Sequence, residues 1–107
     1  MNCANKFCIV STTITTIEEA RELANKILNQ KLASCIQFTN IESLYWWNDE
    51  ISNDNEIRII IKTKDSLFEE LKNFIVHNHK YQIPEIIKIP ILDGYFQYLE
   101  WIEECTK

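Results

Sequence analysis

The residues best suited to chemistry lie in one short stretch, His79-Lys80-Tyr81-Gln82-Ile83-Pro84-Glu85-Ile86. It sets an imidazole, a phenol, an amide and a carboxylate in the connection between a helix pattern and a buried-strand pattern. A rigid scaffold can aim loop side chains without burying them, so binding and catalysis collect in such segments. His79 suits copper or zinc through a neutral imidazole. It suits a helix C-terminus equally well, where histidine bonds the last carbonyls and complements the dipole. His77, two residues earlier, faces elsewhere on a helix and reads as surface. Cys35 offers the thiolate that copper(I) prefers, or the small apolar body of a buried strand residue.

Lys62 projects from a strand opposite an isoleucine stripe. With Tyr81, Glu56 and a tryptophan such as Trp47 from a neighbouring subunit, it could bind a small anion. It could also form an intersubunit salt bridge with Glu56 or Glu85, the usual way in which interfaces bury such charges. Trp46, Trp47 and Trp101 suit interface anchoring or stacking on a ligand. No spacing builds an active site: G-x-S-x-G and H-E-x-x-H are absent, and one glycine in 107 residues excludes a Gly-rich phosphate loop. An enzymatic role is not expected.

A chain of 107 residues makes one domain, 1–107, with a small core. The net charge of -5, with lysines scattered among acids, argues against a nucleic-acid partner. No apolar run is long enough to cross a bilayer. Residues Met1 to Val10 carry no apolar block of signal-peptide length, so a cytoplasmic location is expected. Cys3, Cys8, Cys35 and Cys105 form no C-x-x-C pair, and no disulfide framework is expected in a reducing compartment. Cys8 reads as core, and Cys3 and Cys105 as exposed near the termini.

The elements that position these groups follow from pattern. Phe7–Thr12 is a β-branched strand. Thr16 with Glu19 forms a capping box, and the apolar residues from Ile17 to Leu28 recur at helical spacing to about Lys31. Cys35 to Trp47 reads as a long strand, with a break near Asn40. Asn48-Asp49 supplies the positive φ that a tight hairpin needs. The return strand spans Glu56 to Thr63 with Ile57, Ile59 and Ile61 on one face. Ser66, boxed with Glu69, starts a second helix to His77 that buries Leu67, Phe68, Leu71, Phe74 and Ile75. Glu85–Ile91 is the last strand, ended by Pro90. Gly94 precedes a closing helix with Tyr98, Leu99 and Ile102.

The order β-α-β-β-α-β, then α, specifies an α+β, ferredoxin-like sandwich: helices on one face of an antiparallel sheet, the other face uncovered within the chain. Leaving residues such as Phe38 and Ile60 exposed costs about 25 cal/mol per Å² of apolar surface, which implies a homo-oligomer.

Five segments together resemble the CutA family, named for divalent-cation tolerance. Leu32-Ala33-Ser34-Cys35-Ile36-Gln37 resembles its LAACVN segment, and Ser43-Leu44-Tyr45-Trp46-Trp47 with Ile51 its S-x-Y-x-W-x-G-K-I hairpin. Glu56 with Ile61-Lys62-Thr63 resembles E-x-x-x-x-I-K-T, and the 79–86 stretch resembles HPYE-x-PEI. Tyr98-Leu99-x-Trp101 resembles the closing Y-L-x-W. The departures are Gln37 for asparagine, Asp49 for glycine, Glu50 for lysine, Lys80 for proline and Gln82 for glutamate. Where some members carry a strand cysteine and two adjacent histidines, this chain has Thr12, Asn78 and His79. The resemblance implies a ferredoxin-like homotrimer, similar in architecture to PII signalling proteins, with a link to copper or another divalent cation. It places Lys62, Tyr81, Glu56, Glu85 and Trp47 near an intersubunit cleft. Three functions remain open: weak copper binding near His79 and Cys35, PII-like signalling through a small anionic metabolite in the cleft, or a trimeric scaffold for another protein.

Overall fold

The computed structural model describes residues 6–107, so Cys3 lies outside the described residues. The elements are β1 (Phe7–Ile14), α1 (Ile17–Asn29), β2 (Cys35–Trp47), β3 (Glu50–Lys64), a 3₁₀ turn (Asp65–Leu67), α2 (Phe68–Asn78), β4 (Ile86–Ile91) and α3 (Phe96–Cys105). The sheet runs β2-β3-β1-β4, antiparallel throughout. This is the expected α+β, ferredoxin-like sandwich with an added C-terminal helix.

Local chemistry accounts for the element ends. The Thr16 side chain accepts from the Glu19 backbone N–H at 3.2 Å and donates to the Glu19 carboxylate at 3.0 Å, closing the start of α1. At its other end, Lys31 N–H reaches the Leu28 carbonyl and Leu32 N–H the Ile27 carbonyl. That is a Schellman stop, with Lys31 at φ 58° where glycine is usual. Asn48 (φ 52°) and Asp49 (φ 63°) form the two-residue turn between β2 and β3. Both central residues having positive φ matches the twist of the strands they join. Pro90 lies on β4, an edge strand, where a missing N–H is tolerated.

The core lies between the sheet and α1 and α2. Ile59 and Ile61 of β3 are fully buried with Val10, Ile27, Leu71 and Ile75. Burying each such side chain is worth about 1.5–3 kcal/mol. β2 and β3 continue beyond the end of β1, because β1 pairs with β3 only from Phe7↔Lys64 to Ile14↔Ile57. The hairpin therefore projects as an arm, and the chain measures 47 × 25 × 22 Å.

Several expectations need correction. β2 does not break at Asn40, which pairs with Ile57 in an unbroken ladder. β3 begins at Glu50, because the polar Ser52–Asn55 run is held extended by pairing with β2. Ser66 is not the cap of α2. It sits inside the 3₁₀ turn, and the helix starts at Phe68 without a side-chain cap. Phe38 pairs with Ile59 and so lies on the helix side, opposite to Ile60. Nor is the open face wholly uncovered: Leu99 and Ile102 of α3 pack with Phe7 and Ile91 at one end of it.

Candidate functional site

His79 ends α2 at its C-cap. Its Nε2 lies 2.6 Å from the carbonyl oxygen of Thr13 on β1, and the Tyr81 backbone N–H donates to its Nδ1 at 3.1 Å. A carbonyl only accepts and an amide N–H only donates, so the hydrogen is on Nε2 and the lone pair on Nδ1. Both ring nitrogens are thus engaged inside the chain. The ring bonds a strand carbonyl rather than the last carbonyls of its own helix. Its edge meets the Tyr81 ring with centroids 4.6 Å apart. His77 is exposed, and its Nδ1 lies 2.7 Å from the Asn73 carbonyl.

The loop after His79 is tied at two further points. Lys80 pairs with Glu19 of α1 at 2.8 Å. Together with the Thr16 hydroxyl, it holds the Glu19 carboxyl below its ordinary range. The Tyr81 hydroxyl donates to the Glu56 carboxylate at 2.9 Å and accepts from the Thr15 hydroxyl at 3.2 Å. Burial, reinforced by Glu56 and opposed by Thr15, pushes the Tyr81 phenol up to about 12. Along the arm, the Tyr45 hydroxyl bonds the Asp54 carboxylate, which raises that phenol as well.

Between the arm and the 81–85 loop runs an open groove of about 900 Å³. Tyr81, Glu56, Glu85 and Trp47 all line it, joined by Glu42 and Asp54; no Lys, Arg or His does. Lys62, expected with them near an intersubunit cleft, does not line this groove within one chain. It is six residues along β3 from Glu56, about 20 Å at strand rise. Its ammonium donates to the Tyr98 hydroxyl at 3.4 Å and sits 5.5 Å from that ring's centre. Within one chain Lys62 meets neither Glu56 nor Glu85.

Cys35 and His79 are also apart. Cys35 pairs with Lys62, whereas the Thr13 that His79 bonds pairs with Arg58. Four strand residues separate those pairs, about 13 Å. No group of three or more His, Cys, Asp or Glu side chains converges on one point among the described residues. The donor set of a single chain therefore does not fit a preformed copper or zinc cage, which needs three or four converging ligands. Cys35 is half-buried on the open face and Cys8 is fully buried. Cys105, expected to be exposed, is half-buried too. Burial pushes the Cys8 thiol up to about 11.

Sequence reasoning missed Tyr45, Asp54 and Glu42 as groove residues. The signal was present in the hairpin: counting back from the two-residue turn pairs Ser43 with Asp54 and Ile41 with Glu56, setting the acids beside the aromatics.

Known proteins share this architecture. The profile of the CutA1 divalent ion tolerance protein family matches residues 8–105. "Protein CutA 1, chloroplastic" from Oryza sativa subsp. japonica is 39% identical over 100 residues, which is 92% of this chain and 56% of that protein. The chain thus spans about half the length of that relative and of its counterpart from Arabidopsis thaliana. "Divalent-cation tolerance protein CutA" from Pyrococcus horikoshii is 37% identical over 99 residues, 92% of this chain and 97% of that one. The crystal structure of CutA1 from Oryza sativa superposes with a TM-score of 0.93 at 37% identity, covering 97% of this chain and 96% of that one. The chain belongs to the CutA1 divalent ion tolerance family.

Proposed function

We propose that this chain is a non-enzymatic homotrimer that serves divalent-cation tolerance by holding copper, or a similar ion, weakly through Cys35 and not in a preformed cage. Family membership supports the tolerance role. One observation carries the choice of ligand: both nitrogens of His79 are committed to Thr13 and Tyr81. Among the described residues Cys35 is then a half-buried soft donor on the open face of the sheet itself. Binding displaces the thiol proton, so affinity rises with pH. The trimer is supported by apolar surface that the chain does not cover itself. Ile87 (50% exposed), Ile89 (47%) and Trp101 (40%) lie on the open face or beside it on α3. Within one chain the groove presents four carboxylates and no basic side chain, which disfavours a small anion there.

The test is a copper(I) titration against a chromophoric chelator on wild type, Cys35→Ser and His79→Ala, each checked for folding by circular dichroism. Cys35→Ser should lose at least tenfold in affinity, and His79→Ala should bind as wild type does. Loss in the histidine variant alone, or full retention in Cys35→Ser, would refute the assignment.

A further inference from the structure

The loop after α2 is held to the fold by a bond that only neutral His79 can make. Its Nε2–H donates to the Thr13 carbonyl of β1, and its Nδ1 lone pair accepts the Tyr81 backbone N–H at 3.1 Å. A proton added to Nδ1 sets two N–H donors against each other, so the Tyr81 bond turns into a repulsion. The Thr13 bond is kept, because Nε2 is a donor in both charge states. Protonation therefore acts on one side of the ring only, the side that carries the loop.

The groups around the ring leave this bond as the acid-sensitive one. From α1 comes Glu19, paired with Lys80 at 2.8 Å, and these two charges act on the imidazole in opposite senses. The Glu19 carboxyl is held below its ordinary range, so the pair survives the acid that charges a histidine. From β3 comes Glu56, which accepts from the Tyr81 hydroxyl at 2.9 Å. That phenol, pushed up to about 12, stays protonated. From β1 come Thr13 and Thr15, which do not titrate, and His77 on the same helix turns to the Asn73 carbonyl instead. Tyr81, Gln82, Ile83 and Glu85 form one wall of the groove. We propose that His79 is an acid-operated latch on this wall: neutral, it pins the backbone at Tyr81; protonated, it lets that backbone go while staying seated on Thr13. The loop is then held only by the Lys80–Glu19 pair and the Tyr81 hydroxyl, and it moves about those two points. The latch depends on neither copper nor subunit association.

Nitrogen-15 NMR of the full chain from about pH 8 to about pH 5, the range in which histidine changes charge, tests the latch. A strong chelator keeps metal off the ring. The His79 ring nitrogens report its charge, and the hydrogen-exchange protection factor of the Tyr81 amide reports the bond. In wild type that protection should fall at least about tenfold in step with the ring's titration, while the core amides of Val10 and Ile59 keep theirs. In His79→Asn the side-chain oxygen can accept the N–H two residues on and does not titrate. Its Tyr81 protection should therefore not change with pH. Four results would overturn the proposal: a ring that stays neutral down to about pH 5, a charged ring with Tyr81 still protected, an equal acid loss in His79→Asn, or a loss shared by Val10 and Ile59, which would be global unfolding. The wild-type titration decides by itself if the asparagine variant does not fold.

Discussion

Replacing His79 with alanine should destabilise the fold by about 3 kcal/mol, in the absence of any metal. The substitution removes the bond to the Thr13 carbonyl and the bond from the Tyr81 N–H. Net hydrogen bonds are worth about 1 kcal/mol each, and an orphaned buried acceptor costs about 1–3 kcal/mol. Thr13 is only 4% exposed, so water does not readily replace the ring. The lost edge contact with Tyr81 adds about 0.5–1.5 kcal/mol. His79→Phe keeps a ring and loses both bonds, so it should cost about 2 kcal/mol. The assay is urea denaturation at one fixed protein concentration, because subunit association shifts apparent stability by mass action. Each protein is measured with and without a strong chelator. A His79→Ala cost below about 0.5 kcal/mol would refute the structural role, since it would mean that neither bond is made. A loss in wild type on adding chelator, with no change in His79→Ala, would show that the ring's contribution is metal ligation instead.

Three further perturbations probe separate parts of the fold. The Thr12 hydroxyl is buried without a hydrogen-bond partner. Thr12→Val should therefore be neutral or stabilise by up to about 1 kcal/mol; a cost above about 1 kcal/mol in the same urea assay would mean that the hydroxyl has a partner. Lys31→Gly should stabilise by roughly 1 kcal/mol, because the position has φ 58°, where a Cβ is penalised; a lowered urea midpoint would contradict this. The Cys8 thiol, raised from 9.0 to about 11 in the folded chain, favours folding only while it stays protonated. That contribution is complete below about pH 9 and lost as the pH rises towards 11, up to about 2–3 kcal/mol. Cys8→Ala should flatten this part of the stability profile, and an unchanged slope would show that burial does not shift the thiol.

Local signals made much of this fold legible. Thr16 and Glu19 marked the start of α1, and Asn48-Asp49 marked the hairpin turn, because each depends only on residues a few positions away. What failed depended on distant partners. Ser52–Asn55 has poor strand propensity and is extended only because β2 lies beside it. Ser66 and Glu69 satisfied the pattern of a cap, yet the chain enters α2 through a 3₁₀ turn with Leu67 buried. Phe38 was set on the wrong face although hairpin parity assigns it, since every strand residue's side follows from the turn. In the site, Tyr81, Glu56, Glu85 and Trp47, expected near an intersubunit cleft from motif position, line one groove of the chain. The role of His79 was not legible, because its partner Thr13 is 66 residues away. Lys62, placed by the resemblance near an intersubunit cleft with them, lies about six strand residues from Glu56 within one chain.

The claim on which the functional account rests is that the open face of this sheet is closed by other copies of the same chain. Sedimentation equilibrium of wild-type protein at micromolar concentration tests it most directly. A single species at about three times 12.7 kDa is the predicted result. A stable, folded species at 12.7 kDa would contradict it.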